Sequence, residues 1–283
     1  EMPIEGGRAI NFSAQCADQC RIDIHGIENV LQRVGRPLPD MYSADLSLFV
    51  LDAGIELLRT VDPLLCYLSL TDFIQHAFEP GHPVADRFYA DLDDRVGQLL
   101  ETGALVALTA DHGMTDMSHQ DGTPRVVWLQ QELDDVFGPG STTVICPITD
   151  AFVGHHGALG GFVRVYCQRD LEEDRVVGVM TDLEGVAKVW TRATASRELR
   201  LPYDLEADFA VMGQEGTALG VRPAAHDISA LRGRRLRSHG SIWEAEVPLM
   251  ISEPLRPDYA ERAAQRPVNT YEIFDFAING TEE

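Results

Sequence analysis

The sequence predicts an α/β fold: a mostly parallel sheet flanked by helices, with a smaller ferredoxin-like α+β cap inserted in it. Three observations carry this. Apolar residues at helical spacing alternate with short apolar runs through the first third of the chain. Two of those runs, residues 64–70 (LLCYLSL) and 104–109 (ALVALT), are continuous, as in strands buried on both faces. Further on the rhythm changes to βαββαβ, the order of a ferredoxin-like unit.

The elements follow in order. Ser43 can cap a helix whose Leu46, Phe49, Val50, Ala53 and Leu57 share one side, and Asp62-Pro63 ends it. The strand at 64–70 comes next. A second helix places Val84, Phe88, Leu92, Val96 and Leu99 together; Gly103 breaks it before the strand at 104–109. Helix and strand in alternation imply neighbouring parallel strands. The middle reads as strand 126–129, helix 130–137, strands 142–148 and 162–167, helix 171–183 and strand 187–191. We therefore expect a core of residues 1–120 and 205–283 and a cap of residues 121–204. The chain would rejoin the main sheet through 208–212 and 247–251.

Composition narrows the function. Of 283 residues, 45% are hydrophobic and 24% charged, as in an ordinary globular protein. No run of about 18 apolar residues offers a membrane span. With 23 basic against 45 acidic residues the net charge is −22, which repels nucleic acid and anionic membranes. An anionic substrate would need metal cations or arginines to reverse that field locally. Cys16, Cys20, Cys66, Cys146 and Cys167 contain no CxxC pair and read as reduced thiols of a cytoplasmic protein, Cys66 and Cys167 as core residues. Residues 1–10 lack the basic end and apolar centre of a secretory leader.

Three short segments carry chemistry. Thr71-Asp72-Phe73-Ile74-Gln75-His76 follows the expected strand at 64–70. On a helical turn, Asp72 and His76 share a face and can grip one cation. Equally, Asp72 reads as a simple helix N-cap. Thr109-Ala110-Asp111-His112-Gly113-Met114 follows the next expected strand, and Gly113 would let the backbone turn sharply. Its bland reading is a solvated loop. Ser238-His239-Gly240-Ser241 precedes an apolar run, and alone His239 is an ordinary loop histidine. Together the segments supply the aspartates and histidines that suit zinc, at the strand ends where α/β sheets bind ligands. Two such ions could clamp the attacking and leaving groups of a displacement at phosphorus.

The ordered trio TDFIQH, TADHGM and RSHG resembles the alkaline phosphatase superfamily. Within it the chain is most similar to the phosphonoacetate hydrolases, through YSADLSLFVLDAG, TDFIQHAFEPG, PITDAF with HHGALG, and LRSHGSIWEAEVPL. The resemblance implies an alkaline-phosphatase-like core and two zinc ions. Asp72, His76 and His239 would hold one; Asp111 and His112 would contribute to the other. It also implies a small anionic phosphonate as substrate, cleaved at its C–P bond to acetate and phosphate. In the family an aspartate, a nucleophilic threonine and substrate-binding lysines come from stretches that would precede this one. We expect an amino-terminal part to be missing here; Ser13 is set aside as a replacement, and Lys188 is the single lysine.

Other residues keep two readings. Arg232, Arg234, Arg235 and Arg237 either draw an anion in or pair with local acids, and pairing is favoured. His155 and His156 precede GALGG, a close-approach loop or a plain connection. His82 and His119 follow the metal segments; His82 is carried as a substrate-binding candidate. His226 and Asp227 read as a side-chain pair. The competing functions are a phosphomonoester or phosphodiester hydrolase of the same superfamily and a non-catalytic metal-binding remnant. Oligomeric state is not legible, and a homodimer is compatible.

Overall fold

The computed structural model describes residues 9–148, 154, 156–231 and 233–282. The chain divides into two compact units, Glu1–Ala110 with Pro248–Glu283, and Asp111–Val247.

The first unit is mainly helical. Helix Ala44–Thr60 buries Leu48, Phe49, Leu51 and Ile55, and helix Pro83–Glu101 buries Ala85, Phe88 and Leu99. Both form where the 3.6-residue apolar spacing predicts. Leu48, Ile74, Ala85 and Phe88 make one apolar cluster; Leu51, Ile55 and Leu99 make another with Leu68 and Leu70. Ser43 stands at the N-cap position, but its hydroxyl donates to the Asp40 carbonyl instead of accepting from the first turn. At Gly54 the helix comes close to the Leu68 side chain, where a Cβ would lie 2.5 Å from Leu68 Cδ1. Strand Ala107–Thr109 pairs antiparallel with Leu249–Ile251, and helix Ile273–Asn279 packs on it.

Two expectations fail here. Residues 64–70 form no strand among the described residues, and Leu64, Leu65 and Tyr67 are exposed. Apolar content makes a strand only when a partner takes its backbone hydrogen bonds, and among the described residues no ladder includes this run. The expected parallel core ladder is likewise absent among the described residues, where the strand ladder of this unit and the Leu255–Thr281 bridge are both antiparallel.

The second unit is built on a four-stranded antiparallel sheet in the order Thr142–Ile145, Phe162–Cys167, Phe209–Gly213, Val186–Thr191. Side chains alternate between its faces. Val163, Val165, Phe209 and Val211 face helices Leu129–Phe137 and Glu173–Thr181 through Leu129, Leu133, Val176 and Met180. Phe162, Ala210 and Met212 face Trp190 and helix Arg192–Leu199 through Ala195 and Leu199. Phe209–Gly213 is buried at every residue, as a central strand covered on both sides must be. That placement corrects an expectation, since 208–212 was assigned to the main sheet. Conversely, Val126–Trp128 stays out of the four-stranded sheet and pairs in parallel with Ala218–Gly220. Among the described residues no helix is long and apolar enough to cross a membrane.

Candidate metal centre

Asp72 and His76 sit on a five-residue helix, Phe73–Ala77, in the first unit. Asp72 occupies the N-cap position but makes no side-chain cap hydrogen bond. Its Oδ2 lies 3.0 Å from His76 Nε2 instead, while the backbone closes the same turn from His76 N to Asp72 O at 3.0 Å. The carboxylate is therefore aimed along the helix face that the i,i+4 spacing marks, and the capping role is not taken up. His76 is 3% exposed, so its ring is fixed by packing while Asp72 keeps access to solvent. A further residue fixes the pair. Ser47, buried in helix Ala44–Thr60, accepts from Thr71 N at 3.0 Å and reaches Thr71 O at 3.1 Å. The residue before Asp72 is thereby tied at both its backbone groups. Nothing in the motif itself pointed to Ser47.

In the second unit Asp111, His112 and His239 come together. The His112 and His239 rings stack 3.4 Å apart and 7° from parallel, and His112 Nε2 lies 3.5 Å from Asp111 Oδ2. His112 Nδ1 lies 2.9 Å from the Gly113 carbonyl. A carbonyl only accepts, so Nδ1 carries a proton and Nε2 is the ring nitrogen turned to the Asp111 carboxylate. Gly113 does not adopt a positive φ; it instead brings its N–H within 2.6 Å of the Glu244 carbonyl. Carboxylate oxygen and imidazole nitrogen in one small cluster form a donor set that fits zinc.

The GALGG segment has a structural role that the sequence left open. Gly161 N donates to the His239 carbonyl at 2.8 Å, and Ser238 Oγ donates to the Leu159 carbonyl at 2.6 Å. A Cβ on Gly160 would sit 2.7 Å from the His239 carbonyl oxygen and 2.9 Å from Ile148 Cδ1. Gly240, at φ 114°, takes a conformation that side chains disfavour. His239 is thus held by its backbone from both neighbours.

Other candidates resolve as follows. Arg235 pairs with Asp116 and donates to the His119 carbonyl, and Arg234 donates to the Leu231 carbonyl. Local pairing, not anion capture, accounts for both. His226 does not pair with Asp227: its Nε2 accepts from Val221 N at 2.9 Å and its Nδ1 meets the Gly157 carbonyl at 2.6 Å. Asp227 serves Ser229. His82 caps helix Pro83–Glu101 through Nδ1 and stacks on Phe78, leaving Nε2 for other use. Ser13 is exposed, with extended backbone just before the 3-10 helix Ala14–Gln19. His155, Arg232 and the TDAF stretch at 149–152 lie outside the described residues. His156 is buried. Burial pushes the Cys146 thiol up to about 11 and raises Cys66 and Cys167 as well.

Residues 27–240 match the type I phosphodiesterase / nucleotide pyrophosphatase family. The chain belongs to this family. Among solved structures, it is similar to phosphonoacetate hydrolase from Sinorhizobium meliloti 1021 in complex with phosphonoformate. Identity is 36%, 98% of this chain and 66% of that one are covered, and the TM-score is 0.87. The same enzyme in complex with phosphonoacetate matches at 35% identity over the same shares, with a TM-score of 0.85. This chain thus spans 66% of the length of those relatives, which are hydrolases. Murine ectonucleotide pyrophosphatase / phosphodiesterase 5 matches at 18% identity over 77% of this chain and 54% of its own, with a TM-score of 0.50, and shares the fold alone.

Proposed function

We propose that the chain is the larger part of a zinc-dependent hydrolase that cleaves the C–P bond of phosphonoacetate to acetate and phosphate. The observation that carries this reading is the 36% identity to a phosphonoacetate hydrolase across 98% of the chain, with the metal segments intact. Asp72, His76 and His239 would hold one zinc; Asp111 and His112 would give two ligands to a second. Bound zinc would neutralise phosphonate oxygens and lower the pKa of the attacking hydroxyl. The residues of this chain do the positioning. Ser47 ties Thr71 beside Asp72. Gly161 anchors the His239 backbone. The Nδ1 contact of His112 with the Gly113 carbonyl fixes the ring with Nε2 beside Asp111. His82 Nε2 is offered to the substrate. The nucleophilic threonine, its aspartate and the carboxylate-binding cations would come from the third of the relatives' length that this chain does not span. The free thiols fit a reducing cytoplasm.

The test is a comparison of substrates on the full-length enzyme. Phosphonoacetate should release phosphate and acetate with a higher kcat/KM than p-nitrophenyl phosphate shows. A clear preference for the ester would assign the chain to the phosphate-ester hydrolases of the family instead.

A further inference from the structure

The loop that follows His239 turns back on itself through Glu244, whose role the metal segments do not explain. Glu244 is 2% exposed. Its Oε2 accepts from Ser241 N at 3.0 Å and from Ser241 Oγ at 2.6 Å, while Ser241 Oγ accepts from Trp243 N at 3.2 Å. The turn 241–244 is thereby closed from both ends, as in a capping box. Its other oxygen, Oε1, is buried and has no hydrogen-bond partner among the described residues. Burying a carboxylate with one oxygen unbonded is costly, so the turn must be held for more than local stability.

What the turn holds is the Asp111-His112-Gly113 loop. The Glu244 carbonyl accepts from Gly113 N at 2.6 Å. The Gly113 carbonyl in turn receives His112 Nδ1 at 2.9 Å. His112 stacks on His239, whose own loop begins this turn. The bonds form a closed relay within one unit: Glu244 side chain, turn 241–244, Glu244 carbonyl, Gly113, His112, His239.

We propose that Glu244 is a positioning residue for the histidine pair: by closing turn 241–244 it fixes Gly113, and through Gly113 it fixes the His112 tautomer that exposes Nε2. Outer partners of this kind orient metal ligands and set their basicity. The inference rests on the zinc reading only for what Nε2 then binds. Because only Oε2 is bonded, glutamine keeps both side-chain bonds to Ser241 through its amide oxygen, and alanine keeps neither.

The experiment uses the whole 283-residue chain in wild-type form and as E244Q, E244A and S241A. Long-range 1H–15N spectra of the metal-free protein report the His112 tautomer, assigned against H112N. Zinc affinity is read by competition with a chromophoric chelator, and folding by circular dichroism. Wild type and E244Q should show His112 protonated at Nδ1. E244A should lose that single tautomer and bind zinc about 10- to 100-fold more weakly. S241A, which removes the hydroxyl half of the closure, should weaken zinc about tenfold in the same direction. A folded E244A with the wild-type tautomer and affinity would overturn the proposal, as would Nε2-protonated His112 in the wild type. Should E244A fail to fold, a folded S241A with wild-type His112 signals and wild-type affinity would overturn it equally. A wild type with the expected tautomer but no zinc binding would refute the zinc reading and leave the positioning role standing.

Discussion

Ser47→Ala is the most direct perturbation of the Asp72 segment that leaves every ligand in place. The serine hydroxyl takes the Thr71 N–H at 3.0 Å and reaches the Thr71 carbonyl at 3.1 Å. Each bond contributes about 1 kcal/mol net, so alanine should cost about 2 kcal/mol. If the Thr71 N–H finds no water, the loss rises towards ~3 kcal/mol. For a unit of this size that lowers the midpoint of thermal unfolding by about 4–8 °C. Zinc affinity should fall about tenfold, because Asp72 is the next residue and loses its anchor. Urea unfolding followed by circular dichroism gives the stability. Tryptophan fluorescence serves as the control, since Trp128, Trp190 and Trp243 all lie in the other unit. A stability change below about 0.5 kcal/mol together with wild-type zinc affinity would refute the anchoring role.

Three further outcomes are expected. Gly160→Ala places a Cβ 2.7 Å from the His239 carbonyl oxygen and should destabilise Asp111–Val247 by about 1–3 kcal/mol, read by fluorescence in urea. An unchanged unfolding midpoint would mean that the 239–241 loop yields freely. His226→Ala removes bonds to Val221 N and the Gly157 carbonyl and should cost about 2 kcal/mol while leaving zinc binding intact; a loss of zinc would give His226 a role the geometry does not assign. In thiol titration with a disulfide reagent at pH 8, exposed Cys16 should react first and Cys146 last, since burial holds its thiol near pKa 11. Early reaction of Cys146 would show that its surroundings open readily.

What the sequence made legible was what depends on local spacing. Helices Ala44–Thr60 and Pro83–Glu101 lie where their apolar periodicity predicts, and strand Phe162–Cys167 matches its expected ends. The i,i+4 relation of Asp72 and His76 also survives, as a direct side-chain contact. Partnership was not legible. The run at 64–70 has the composition of a buried strand but no ladder beside it among the described residues. The strand Phe209–Gly213 was recognised as a strand and assigned to the wrong sheet, because apolar content states burial and not which neighbour supplies it. The supporting residues were hidden for a related reason. Ser47 and Gly160 act on backbone groups distant in sequence, as does the Glu244 carbonyl on Gly113 N, and their motifs carry no mark of it. Gly113 was read as a sharp-turn residue; its φ is not positive, and its N–H instead meets the Glu244 carbonyl.

The proposed function requires that Asp72, His76 and His239 hold one zinc. Elemental analysis of the purified chain after dialysis against zinc and then buffer tests it directly. The wild type should retain about one zinc per chain, and H76A and H239A should each lose it. A wild-type chain that retains no zinc, or one whose zinc survives both substitutions, would contradict the claim.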